Sequence, residues 1–137
     1  MAVIQANLST QSRARSTRRI SVIFENIPLD NPVAVSYPKW TAEVNTSVRR
    51  IRMKYVWAAA VSGDTVGTTL ALGQDAEAVR FGSWVTSASE TIWTLTEVSV
   101  PAQNNILQAG KTLILFVGTG KTGGGMVNVQ VELDEVR

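Results

Sequence analysis

The sequence predicts an all-β protein, an antiparallel sandwich or barrel of about eight strands. Three observations carry this. Short runs alternate apolar and polar residues at every second position. Clusters of Gly, Pro, Asn, Asp and Ser separate those runs at roughly even spacing. No segment longer than about ten residues has a convincing 3.6-residue apolar period. At 137 residues the chain is long enough for one domain with a sizeable core.

The elements follow in order. Residues 1–17, rich in Ser, Thr, Gln, Asn and Arg, hold too few apolar residues for a core and are expected to form a flexible basic arm ahead of a sandwich over 18–137. Arg18–Ile27 alternates, with Ile20, Val22 and Phe24 on one face. Pro28, Asp30, Asn31 and Pro32 break the chain. Val33–Tyr37 is a short strand expected to stop at Pro38. Val48–Ala59 gives the clearest alternation, with Ile51, Met53, Tyr55, Trp57 and Ala59 opposite Arg50, Arg52, Lys54 and Val56. Ser62, Gly63 and Asp64 make a turn. Thr65–Leu72 turns Val66, Thr68, Leu70 and Leu72 inward, and Gly73–Ala78 is a polar loop. Val79–Val85 is a weaker strand interrupted by Gly82. Thr91–Val100 places Trp93 and Leu95 on its dominant face, with a bulge near Thr96. Thr112–Val117 is nearly all apolar and is expected to be buried on both sides. Met126–Leu133 turns Val127, Val129, Val131 and Leu133 inward.

Composition narrows the chemistry. The absence of cysteine excludes a disulfide framework and a cysteine metal site. The absence of histidine removes the commonest general base and the commonest transition-metal ligand. No run of 18 apolar residues exists, so no membrane-spanning helix is expected. The net charge of +2 is unevenly spread: residues 1–54 carry nine Lys/Arg and three Asp/Glu, while residues 55–137 carry four and eight. A basic front half fits an anionic partner surface.

Gly118-Thr119-Gly120-Lys121-Thr122 looks like the end of a phosphate-binding loop, but its context is wrong. Leu115 stands where the first glycine belongs, and Gly123, Gly124 and Gly125 follow where a helix should begin. Without that helix no macrodipole faces a phosphate. The stretch is expected to be a hairpin loop between two strands, and the protein is expected not to be an enzyme. Asp75 and Glu77 have spacing compatible with calcium, but such pairs are common on surfaces. No cofactor or metal is expected.

The remaining candidates are binding residues. Arg50, Arg52 and Lys54 share one strand face, spaced about 7 Å apart, suited to an anionic surface or to keeping a sheet edge solvated. Arg13, Arg15, Arg18 and Arg19 put four arginines in seven residues without an acid, a pattern of arms that order on anionic surfaces. Trp40 and Trp84 are candidate exposed aromatic contacts, with Trp40 favoured because it follows Pro38 and Lys39.

The second half, IWTLTEVSVPAQNNILQAGKTLILFVGTGKTGGGMVNVQVEL, runs from a Thr-rich strand through Val-Pro and Leu-x-Ala-Gly-x-x-Leu to an apolar strand, a Gly-rich loop and an alternating strand. This order resembles the jelly-roll decoration (cement) proteins of tailed-bacteriophage capsids, as a pattern over residues 18–137. Its most specific piece, Leu107–Val117, is a short motif shared with other sandwiches. The resemblance implies a jelly-roll sandwich made in the host cytoplasm and carried on the virion surface. It further implies a homotrimer bound to the major capsid protein, with no small-molecule substrate, membrane or nucleic acid as partner. The alternative is a carbohydrate- or receptor-binding sandwich of a phage tail fibre, in which exposed tryptophans stack on sugars.

Overall fold

The computed structural model describes residues 18–29, 31–57, 68–86, 95–119 and 125–136. Nine strands form two sheets: β1 (Arg19–Pro28), β2 (Val35–Thr41), β3 (Thr46–Trp57), β4 (Thr69–Gln74), β5 (Glu77–Val85), β6 (Thr96–Val98), β7 (Ile106–Leu107), β8 (Thr112–Val117) and β9 (Met126–Glu135). No helix occurs among the described residues. The first sheet runs β1-β9-β3-β6, with β7 also on β3; the second runs β2-β8-β4-β5. Strands β6 and β7 meet different parts of β3, at Ile51–Met53 and at Thr46–Ser47, so they share one interrupted lane. About eight strands are expected and nine are described, because one lane beside β3 holds two short strands.

The pairing is nested. The tip is the turn at Asp75–Ala76, where Ala76 takes the left-handed conformation (φ 66°). Back from that tip, β4 pairs β5, β3 pairs β6 and β7, β2 pairs β8, and β1 pairs β9, all antiparallel. The chain is thus one long hairpin rolled into two layers, the jelly-roll arrangement. Rolling is what buries the alternating apolar faces of both layers against each other.

The core lies between the sheets. Val22, Phe24, Ile51, Met53, Val129, Val131 and Leu133 point into it from one layer, and Leu70, Leu72, Phe81, Leu113 and Leu115 from the other. Thr68 and Gln74, both buried, are hydrogen-bonded. Thr68 donates its amide to Thr86 Oγ1 (2.9 Å) and its hydroxyl to the Leu29 carbonyl (2.8 Å), tying the open end of β4 and β5 to the β1–β2 connection. The Gln74 side chain donates to Gln108 Oε1 (2.9 Å) and accepts from the Gln108 amide (3.2 Å).

Several expectations change. Pro38 does not stop β2, which runs on to Thr41. It is an edge strand whose register shifts between Pro38 and Trp40, and an edge beside a bulge tolerates a missing N–H. Gly73 and Gln74 belong to β4, so the expected polar loop shrinks to a two-residue turn. Gly82, at φ 126°, does not end β5; it lets the strand switch sides, so that Phe81 is fully buried while Ser83 is exposed. In β6 and the residues beside it, Val98 and Val100 pack on the core, as an inversion near Thr96 implies, but Leu95 faces solvent and not the interior. Strand β8 buries Leu113, Leu115 and Val117 but leaves Ile114 and Phe116 only half-covered, so it is not buried on both sides. Finally, β8 and β9 lie in different sheets. Residues 118–125 therefore connect two layers and are not a hairpin loop. Two adjacent apolar strands need not pair when both can face one core from opposite sides. Lys121, Trp93, Val66 and Ala59 lie outside the described residues.

Candidate functional site

Alternation along β1, β9, β3 and β6 turns every second residue of the first sheet to the outside. Register then sets those residues side by side. Arg19 lies opposite Asp134 on β1–β9. On β9–β3, Arg50 lies opposite Glu132, Arg52 opposite Gln130 and Lys54 opposite Asn128. Arg52 is also opposite Glu97 on β6. The basic row read from β3 is thus one rank of a mixed ionic ladder. The β3 register shifts between Val48 and Arg50. That bulge keeps Val48 and Ile51 both inward and adds Arg49 to the charged side.

The arginines along this sheet are met by acids. Arg18 reaches Glu135 at 3.0 Å, and that carboxylate is 1% exposed. Arg19 Nε donates to Asp134 Oδ1 (3.0 Å). Arg49 lies 3.5 Å from the same residue. Arg50 donates through Nε to Glu97 Oε1 (2.6 Å), and its terminal nitrogens face Glu97 and Glu132. Arg52 donates from one terminal nitrogen to Gln130 Oε1 (3.0 Å) and Glu132 Oε2 (3.1 Å), while its Nε is buried without a hydrogen-bond partner. The hydrogen bond from Arg50 holds the Glu97 carboxyl below the usual carboxylate range and raises Arg50 itself. The hydrogen bond to Asp134 does the same for Arg19. Chemically this face is a locked, solvated ionic layer whose cations already have protein partners.

Arg13 and Arg15 lie outside the described residues. Arg18, the root of the arm, is fixed twice, by its ion pair and by its carbonyl, which accepts from the Glu135 amide at 3.0 Å. Arg18 and the buried Glu135 fall in step with Ile20 and Leu133 on the core side, at the end of the sheet, whereas Arg19 and the Arg50, Arg52, Lys54 row share the outer face. The tryptophans do not. Trp40 is half-buried, opposite Leu113, and packs on the core from β2. Trp84 is also half-buried; its Nε1 donates to Met53 Sδ (3.4 Å), and it lines a shallow cleft with Ser83, Thr96 and Glu97. Neither is an exposed platform. Glu77 is engaged by Arg80 Nη1 at 2.6 Å. Among the described residues no group of three acidic side chains is placed to hold a metal ion, and no helix is long and apolar enough to cross a membrane.

The outer face of the second sheet was missed at sequence level. Its outward ranks hold Ser36, Phe116, Ala71 and Ser83 across the four strands, then Pro38, Ile114 and Gly73. None is charged. The available signal was β8 itself, apolar at alternate positions on both sides.

No family model matches the chain, and no curated protein matches its sequence. Solved structures do. A chain of the cyanophage Pam1 capsid asymmetric unit superposes with a TM-score of 0.59 at 13% identity, covering 88% of this chain and 86% of that one. A capsid chain of Helicobacter pylori bacteriophage KHP30 gives 0.46 at 13% identity, covering 88% of each. The C-terminal CBM6 of LamC, a laminarinase from the marine organism Zobellia galactanivorans, gives 0.42 at 13% identity, covering 86% of this chain and 99% of the module. The first of these likenesses is a shared fold over nearly the whole of both chains.

Proposed function

We propose that this protein is a structural, non-enzymatic component of a phage virion, a homotrimer that binds the outer shell of major capsid protein and stabilises it. The observation that carries the proposal is the fold shared with a capsid chain across 88% of the sequence. The half-buried positions of Trp40 and Trp84 favour this over sugar recognition, which needs an exposed ring face. Arg50 and Arg52 are engaged within the domain, so we assign the partner contact to the arm, through Arg13 and Arg15. Arginine suits that task because its planar fork binds carboxylates bidentately at every relevant pH.

The test is co-sedimentation with capsids of the phage that encodes the protein, with copies per particle counted. The full chain should attach in defined number. Deleting residues 1–17 should leave the melting temperature nearly unchanged and weaken attachment, and Arg13→Glu with Arg15→Glu in the full chain should weaken it in a salt-dependent way. No attachment of the full chain at any salt concentration would remove the decoration role. Unchanged attachment of the truncated chain would make the arm a passive tail.

A further inference from the structure

The second sheet turns an uncharged face outward, and at one end that face becomes an apolar patch. A hollow of about 250 Å³ opens there, whose lining includes Ala34, Val35, Ala71, Phe116 and Val117 together with Ser36 and Thr69. Large apolar side chains flank it. On one side Val33, next to Ala34, is 64% exposed. On the other, Val85, paired with Thr69, is 60% exposed. Valines this exposed beside a half-covered phenylalanine gain nothing in the isolated chain, and the hollow runs from β2 across β8 to β4.

We infer that this patch is the contact between copies of the chain, turned toward the common axis of the homotrimer. The inference rests on the oligomeric part of the proposed function and gives it a surface. Charge decides the occupant. A repeated surface must be compatible with itself, and the two broad faces differ in this respect. Copies meeting through the first sheet would bring Arg19, Arg49 and Arg50 toward their counterparts and strip water from ion pairs that are now solvated. Copies meeting through Val33, Phe116 and Val85 bury only neutral groups. Contacts between permanent copies are richer in apolar area and poorer in charge at their centre than passing contacts. An uncharged patch suits such a centre within an interface of about 800 Å² per partner.

The experiment is sedimentation equilibrium of the full chain at about 10 µM, with three variants. Val85→Glu and Val33→Glu place a carboxylate on exposed positions, so the isolated fold tolerates them. Combined, they should weaken assembly at least a hundredfold, roughly 2.7 kcal/mol at ~1.4 kcal/mol per tenfold. Phe116→Glu should do the same or more. Ile23→Glu, on the outer face of the first sheet, should leave assembly unchanged. A monomeric wild type overturns the inference. So does a trimer that survives Val33→Glu with Val85→Glu, or one broken equally by Ile23→Glu. If Phe116→Glu fails to fold, the valine pair decides alone. If the valine pair abolishes capsid attachment while the trimer persists, the patch faces the shell and the inference is wrong. Attachment of the wild type to capsids is read separately, so loss of the decoration role and loss of this interface give different results.

Discussion

The two outer faces of the sandwich solve the same problem in opposite ways. On the first sheet, charged residues alternate with a few neutral ones such as Ile23 and Gln130, and each arginine finds a carboxylate on a neighbouring strand. On the second, the outward ranks hold small or apolar residues, and Ala71, cross-strand from Phe116, is nearly buried despite pointing away from the core. One face is adapted to water; beside the other, Val33 and Val85 stand exposed next to a half-covered Phe116. The difference shows that the basic row most visible in the sequence is engaged by its own protein, whereas exposed apolar side chains flank the face with no conspicuous residues.

The sharpest way to break this comparison is Gly73→Ala. Gly73 is on the outward rank of β4, yet a Cβ there would sit 2.0 Å from the Glu77 carbonyl oxygen and 2.5 Å from that of Ala78. The backbone of β5 folds over this position, so no side-chain movement relieves the clash. We expect a loss of more than about 4 kcal/mol, or no folded protein, in urea denaturation. A loss below about 1 kcal/mol would mean that the β4–β5 tip adapts and that the second face is not held by backbone contact.

Glu132→Gln is a milder test of the first face. Glu132 is shared by Arg52 (3.1 Å), Arg19 (3.9 Å) and Arg50 (3.9 Å). Its neutralisation should cost about 1 kcal/mol at low salt and less at about 1 M, because screening already weakens these pairs. A cost independent of salt would point to lost packing instead of lost charge.

The smallest effect belongs to Glu97. Its partner Arg50 lies across β3–β6, and both side chains are about half-exposed. The carboxyl is depressed below its ordinary value of 4.5 by the Arg50 hydrogen bond. The stabilisation is therefore fully present above that value and is lost as pH falls through the lower folded value. Glu97→Gln should flatten this acid limb of the melting curve and change almost nothing at pH 7 in high salt. A large loss at pH 7 would show that the pair organises the β6 edge.

Strand periodicity was legible because alternation is local. Ile20–Phe24, Ile51–Tyr55 and Val127–Leu133 each show their inner face within a few residues, and burial follows it. The sequence by itself determined the strands, the absence of a phosphate-loop context after Thr122, and the basic character of the arm. Tertiary structure decided what lies far apart in the chain. The 1-to-9 and 3-to-9 strand pairings bring Glu132 and Asp134 onto arginines 80 or more residues away, and no local pattern records such a register. The same pairings separate β8 from β9, whose alternation alone could not say whether they share a sheet or face each other across a core. Pro38 and Gly82 were read as breaks because propensity concerns an isolated segment. An edge strand with a bulge tolerates the first, and a change of side around a positive φ requires the second. The uncovered face followed for the same reason: hydrophobicity is written along β8, but which of its two sides meets the core depends on everything packed against it.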